Sequence, residues 1–247
     1  MNNTYIKKKN KKKTRSRSPE KKAAQFEQFL DVGKRLFYEK GRDGFSLRKL
    51  ANELNMNQNN IYNYVESKRE LWIAIRNKLF YQYRNETIKI LKNHRGSSVE
   101  LITKMFEHFL EFAANDPAAF KMMYIDGSPT SEKIGKYEKE YEAYNYFDGT
   151  VKIFQKAIND GEILEKNPNI LTFFMYCVGL GAAIVEFGLK YMEEHKDYKG
   201  TAADENVNFG NQPFTSKEFR NYVLQKIKLG LSDPNLIVNK SKYQNND

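Results

Sequence analysis

Leu47, Leu50, Ala51 and Leu54 recur at the three-and-four spacing of one helical face, which predicts a short helix over about 47–54. Ser46 stands in front of it as an N-cap. Ile61 and Val65, four residues apart, predict a second short helix from Gln58 to about Val65, with Asn57 as its cap. Only Asn55-Met56-Asn57 separates the two, and asparagine tolerates the left-handed backbone of a tight turn. Two short helices joined this closely, with small Ala51 where they must pack, make a helix-turn-helix.

The same periodicity organises the rest of the chain. Ser18-Pro19 supplies a cap and a first-turn proline, and Phe26, Phe29, Leu30, Gly33, Leu36 and Phe37 form one apolar stripe that Gly41 ends. A longer helix is expected from Lys68 to about His94, stopped by Gly96, followed by helices over Val99–Ala114 and from Asp116-Pro117 to about Tyr124. Asp126-Gly127-Ser128-Pro129 reads as a turn. Ser131–Asn159 is expected to be one long helix carrying Tyr137, Tyr141, Tyr144, Tyr146 and Phe147. Asn167-Pro168 starts another, running to about His195. Residues 196–213 are polar and rich in Gly and Asn, a long loop for a compact domain. Thr215-x-x-Glu218 is a capping-box signature for a last helix ending near Gly230. No segment alternates as a strand does and no repeat is present, so the fold class is all-α.

The helix-turn-helix resembles that of the tetracycline-repressor (TetR) family. The shared pattern is Ser46, Leu50-Ala51, Ile61-Tyr62-x-Tyr64, and Lys68 followed by Leu71; Asn55, Asn57 and Val65 depart from the usual Gly, Ser/Thr and Phe while keeping their physical roles. The resemblance implies an N-terminal three-helix DNA-binding domain over 19–67 and a helical ligand-binding and dimerisation bundle over 68–235. Within the bundle, 68–95 is the helix that connects the two, and residues 236–247 form a tail. It further implies a homodimer on a palindromic DNA operator, released by a small apolar or amphipathic effector. The second helix would enter the major groove and meet bases through Gln58, Asn59 and Asn60, with Asn57 at its cap. Ser46, Tyr62, Tyr64 and Lys68 correspond to phosphate-contacting positions, with Arg48 and Lys49 near the backbone. Gln and Asn bind adenine through its N6 and N7, so A·T-rich half-sites are expected; the alternative for Tyr62 and Tyr64 is packing.

Charge sharpens this picture. The net charge of +10 is unevenly spread. Residues 1–22 hold ten Lys/Arg against one Glu (+9), residues 23–95 carry +6, and residues 96–247 carry −5. A basic first third joined to an acidic remainder points to an anionic polymer as partner for the first part only. Residues 1–18 read as a disordered basic arm, either a solubilising tail or a DNA-contacting one. With 40% apolar and 14% aromatic content the chain is not wholly disordered. Its single cysteine, Cys177, rules out an internal disulfide framework, and no Cys/His spacing suits a metal. The first residues are charged rather than apolar, so a cytoplasmic protein is expected.

Ile170–Val185 is a sixteen-residue run in which only Thr172 and Tyr176 are at all polar. A membrane span needs about twenty apolar residues, and Glu186 interrupts the run, so a helix shared by two subunits explains it better. Gly179, Gly181, Ala182 and Ala183 would let a twin helix approach, and Tyr222 joins them as an interface candidate. The candidate pocket residues are Phe106, Phe109, Phe112, Met122, Met123, Tyr141, Tyr144, Phe173, Phe174 and Cys177, with His108 and Glu186 as polar anchors. No Gly-x-Ser-x-Gly elbow, phosphate loop or His-Glu-x-x-His appears, so neither an enzyme nor a cofactor is expected. The rival reading is a ligand-independent, nucleoid-type DNA-binding protein, which would have no need of some 150 further residues.

Overall fold

The computed structural model describes residues 18–142, 145, 147–195 and 212–232. The basic arm up to residue 17, Tyr144, most of the 196–213 loop and the 236–247 tail lie outside the described residues. Among the described residues there are ten helices and no strand.

Helix α1 (Pro19–Gly44) begins where Ser18 Oγ accepts from the Lys21 amide, and its buried stripe is Phe29, Leu30, Gly33, Leu36 and Phe37. Gly41, at φ 66°, breaks its regular geometry at the predicted end. Helix α2 (Leu47–Glu53) is capped by Ser46 Oγ on the Lys49 amide, and α3 (Gln58–Ile61) by Asn57 Oδ1 on the Asn59 amide. Asn55 turns the chain between them at φ 51°, in the left-handed region.

Two expected helices are shorter than the pattern suggested. The second helix of the motif ends at Ile61, after which turn bonds carry the chain: Tyr64 N to Ile61 O at 2.9 Å and Val65 N to the same oxygen at 3.2 Å. Ile61 and Val65 are nevertheless both buried. The local run of Asn and β-branched residues favours helix weakly, and tertiary packing places the side chains instead. The single helix expected over Ser131–Asn159 is two, α7 (Lys136–Lys139) and α8 (Phe147–Asn159). Buried Glu70 explains why the first begins only at Lys136. Its Oε1 accepts from the Tyr137 amide at 2.9 Å, and a side chain on Gly135 would collide with the same carboxylate.

Helix α4 (Lys68–Asn93) runs out of the first domain, capped by Ser67. Helix α5 (Ser98–Asn115) opens on the full Ser97/Glu100 capping box, and α6 (Pro117–Tyr124) on Asp116. Helix α9 (Pro168–Glu194) is capped by Asn167. Helix α10 (Ser216–Ser232) starts at the predicted box, Thr215 Oγ1 taking the Glu218 amide at 3.1 Å and Glu218 Oε2 the Thr215 amide at 2.7 Å.

Two apolar cores result. The first joins α1–α4 and reaches Ala119, Met122 and Met123 of α6. The second gathers α5, α8, α9 and α10 around Leu110, Phe120 and Phe154. Helix α6 belongs to both, so a shift of α6 is felt on either side.

Candidate functional site

At the helix-turn-helix, Asn59, Asn60, Arg48 and Lys49 are exposed and Tyr62 projects outward. Gln58 Nε2 donates to Tyr62 Oη at 3.3 Å, which holds these two side chains together at the surface. Lys49 Nζ and Lys68 Nζ donate to the carbonyls of Gly44 and Arg42, tethering both ammonium groups near the ends of α1 and α4. Tyr64 is placed differently from Tyr62. Its hydroxyl donates to Gln25 Oε1 at 2.7 Å and its ring stacks on Phe26, so it packs the domain rather than standing free at the surface.

Phe26 in turn stacks on Tyr137, with ring centroids 5.1 Å apart. That stack, the Glu70 carboxylate, and Arg69 donating to Glu138 at 2.5 Å fasten the segment around α7 onto the first core. Lys34 of α1 reaches Asp116, the cap of α6, at 2.7 Å. Arg76 of α4 donates to Met123 O at 3.0 Å and to Tyr141 Oη at 3.1 Å. The first domain is thus coupled to α6 and α7 by directed polar contacts as well as by a shared core.

The second core holds a cavity of about 170 Å³. Tyr83 and Thr87 of α4 line it, with Ile102, Met105, Phe106 and Phe109 of α5 and Tyr124 of α6. Phe147, Thr150, Ile153 and Phe154 of α8 and Thr172, Met175 and Tyr176 of α9 complete the wall. Of the pocket candidates from the sequence, Phe106 and Phe109 line it. Phe112 sits between the two cores, and Met122 and Met123 belong to the first. Tyr141 is taken by Arg76, and His108 stacks on Tyr83, behind the wall. Burial holds the His108 imidazole pKa below its usual value, against the pull of Glu86 and Glu111. Glu186 anchors no ligand there, because its carboxylate is buried against Arg220.

Helix α9 reverses the expected orientation of its run. Thr172, Gly179, Ala182, Ala183 and Glu186 face inward, and a side chain on Gly179 would meet the Phe109 ring at 2.9 Å. The approach that these small residues permit is therefore to α5 of the same chain, not to a twin. Ile170, Phe173, Phe174, Cys177, Gly181 and Ile184 face outward instead, with Tyr222 and Leu229 of adjoining α10 also exposed. Phe173 and Phe174 are 59% and 53% exposed, so they cannot line the cavity.

Residues 29–75 match the model of the bacterial regulatory proteins of the tetR family. The helix-turn-helix region is thus similar to that of the TetR family. Its fold matches that of a TetR/AcrR-family transcriptional regulator from Thermobifida fusca, 20% identical, at a TM-score of 0.53 over 84% of this chain and 98% of that one. The Bacillus subtilis regulator FadR, solved with stearoyl-CoA, is 13% identical, with a TM-score of 0.56 over 83% of this chain and 98% of that one. AibR, solved with isovaleryl coenzyme A and operator DNA, is 16% identical, with a TM-score of 0.54 over 81% and 96%. At these identities the likenesses carry the fold alone. No curated protein sequence matches the chain.

Of the fourteen described residues that line the cavity, twelve are absent from the sequence-derived set. The apolar stripe of α8, with Phe154 and Ala157 buried, was a usable signal for part of the wall. Tyr83 and Thr87 lie on the second half of α4, where polar residues outnumber apolar ones and no clear apolar stripe marks them.

Proposed function

We propose that this TetR-family chain is a cytoplasmic, ligand-responsive transcriptional repressor that binds a palindromic operator as a homodimer. The observation that carries the reading is α4. It begins beside the helix-turn-helix, at Lys68, and ends in the wall of a cavity, at Tyr83 and Thr87. A ligand that alters the packing of this cavity alters the position of α4, and with it the spacing of two recognition helices. In a dimer that spacing must be about 34–36 Å to fill successive major grooves. A ligand preferring the wrong spacing shifts the population off DNA.

In this reading residues 19–67 bind DNA and 68–235 regulate. Gln58, Asn59 and Asn60 read bases from the cap at Asn57. Ser46, Arg48, Lys49, Tyr62 and Lys68 hold the phosphate backbone, with Tyr64 packing the domain beneath them against Gln25 and Phe26. The outward apolar face of α9 and α10 is covered by its twin. Helix α9 is long and apolar enough to cross a membrane by length and composition, but its inward face carries the buried Glu186–Arg220 pair, which suits a soluble bundle. Selection of binding sites from random duplex DNA tests the proposal. The expected outcome is a palindrome whose half-site centres lie about one helical turn apart. Enrichment of no sequence would favour the nucleoid-type reading instead.

A further inference from the structure

The cavity has a chemical character that the family assignment does not supply. Its described lining contains no Lys, Arg, His, Asp or Glu; it consists of apolar and aromatic side chains with three threonines and three tyrosines. Two of the threonine hydroxyls are already committed to their own helices, Thr87 donating to Tyr83 O at 3.0 Å and Thr172 to Pro168 O at 2.8 Å. Tyr176 is different. Its ring packs edge-on against Phe147, and its hydroxyl makes no hydrogen bond among the described residues. Arg76 lies close enough to act on that hydroxyl electrostatically, while its own terminal nitrogens donate to Tyr141 and to Met123 O. Burial raises the Tyr176 pKa more than Arg76 lowers it, so the phenol keeps its proton through the neutral range and can donate it.

We infer that the effector is a small uncharged molecule with an apolar body and one acceptor oxygen, which takes the hydrogen bond offered by Tyr176. This rests on the cavity being the effector site. A carboxylate placed there would be stripped of water with no cation in the lining to meet it, and the nearest one, Arg76, stands outside the lining with its terminal nitrogens on Tyr141 and Met123 O, so ionised acids are disfavoured. Size sets the second limit. About 170 Å³ is below the roughly 300–1,000 Å³ of pockets for drug-sized ligands. At about 20–30 Å³ per non-hydrogen atom it has room for on the order of six to eight of them. The part of a fatty-acyl chain it can enclose is limited to that size, and the phosphates of a coenzyme A thioester find no partner in the lining.

Titration calorimetry on the full chain, with four probes, tests the inference. They are 3-methylbutanamide, its ionised counterpart 3-methylbutanoate, isovaleryl coenzyme A, and toluene as an apolar body without an acceptor. The amide is expected to bind at least about tenfold more tightly than the carboxylate at neutral pH. Tyr176→Phe should weaken the amide by roughly three- to tenfold while leaving toluene unchanged, since it removes only a hydroxyl. Toluene binding also reports that the variant is folded. A carboxylate or thioester that binds as tightly as the amide overturns the uncharged class while leaving the cavity as the effector site. Equal amide binding by wild type and Tyr176→Phe overturns the role of the hydroxyl. If no probe binds, toluene included, both this inference and the cavity's assignment as effector site fall; Ile153→Trp, which fills the cavity, should abolish whatever binding is seen.

Discussion

Glu186 offers the sharpest test of how the regulatory domain is held together. It is 2% exposed on the inward face of α9, and it takes Arg220 of α10 in a fork. Arg220 Nε donates to Oε1 at 2.8 Å and to Oε2 at 3.0 Å, and Nη2 donates to Oε1 as well. The Arg220 side chain is itself only 19% exposed, and the carboxylate raises the guanidinium pKa further above its ordinary value. Glu186→Ala removes every acceptor in the fork and leaves a cation in an apolar helix contact, which should cost about 3–5 kcal/mol. For a chain of this size about 2–4 °C of Tm goes with each kcal/mol, so a fall of roughly 6–20 °C is expected. The pair itself is different from its breakage. Two desolvated charges roughly offset their own attraction, so Glu186→Met combined with Arg220→Met should recover to within about 1 kcal/mol of wild type or exceed it. Thermal and urea denaturation followed by circular dichroism, at one protomer concentration for all variants, measures both effects. A Glu186→Ala protein melting within about 2 °C of wild type, or a double variant no better than the single one, would refute this account.

Gly181→Leu should leave the protomer folded, because no atom lies within 4 Å of the added Cβ, yet weaken the dimer in analytical ultracentrifugation. Gly179→Leu should instead destabilise the protomer by about 1–3 kcal/mol or more, by driving into Phe109 and Phe106; reversed outcomes would return the small residues to the dimer interface. Asn55→Ala should cost about 1–2 kcal/mol in the urea midpoint, because alanine resists the left-handed turn, whereas Asn55→Gly should be close to neutral. Since the folded-state pKa of His108 is depressed, stability is full above the unfolded imidazole pKa and is lost as pH falls through the folded value. The loss of stability between about pH 7 and about pH 5 should therefore be smaller in His108→Phe, which keeps the stack on Tyr83, and equal slopes would exclude the imidazole as its source.

Local physics left its mark on the sequence wherever a few adjacent residues decide the outcome. The caps at Ser18, Ser46, Asn57, Asp116, Asn167 and Thr215 each close their own helix within three or four residues, so these helix starts were legible. The left-handed turn at Asn55 was legible for the same reason, and with it the helix-turn-helix that resembles the TetR family's. Tertiary structure decided what distant residues decide. Glu70, far away in sequence, delays the start of the expected 131–159 helix to Lys136 by accepting the Tyr137 amide and filling the space beside Gly135. Arg220 decides the orientation of α9, because a buried Glu186 must face its partner across the bundle. That one constraint turns Thr172, Gly179 and the alanines inward and presents Phe173, Phe174 and Ile184 to the outside. Periodicity gives the stripes of a helix, but on a helix apolar all round it cannot say which stripe is the inner one. The cavity followed from that orientation, and so most of its wall was invisible until α9 was docked.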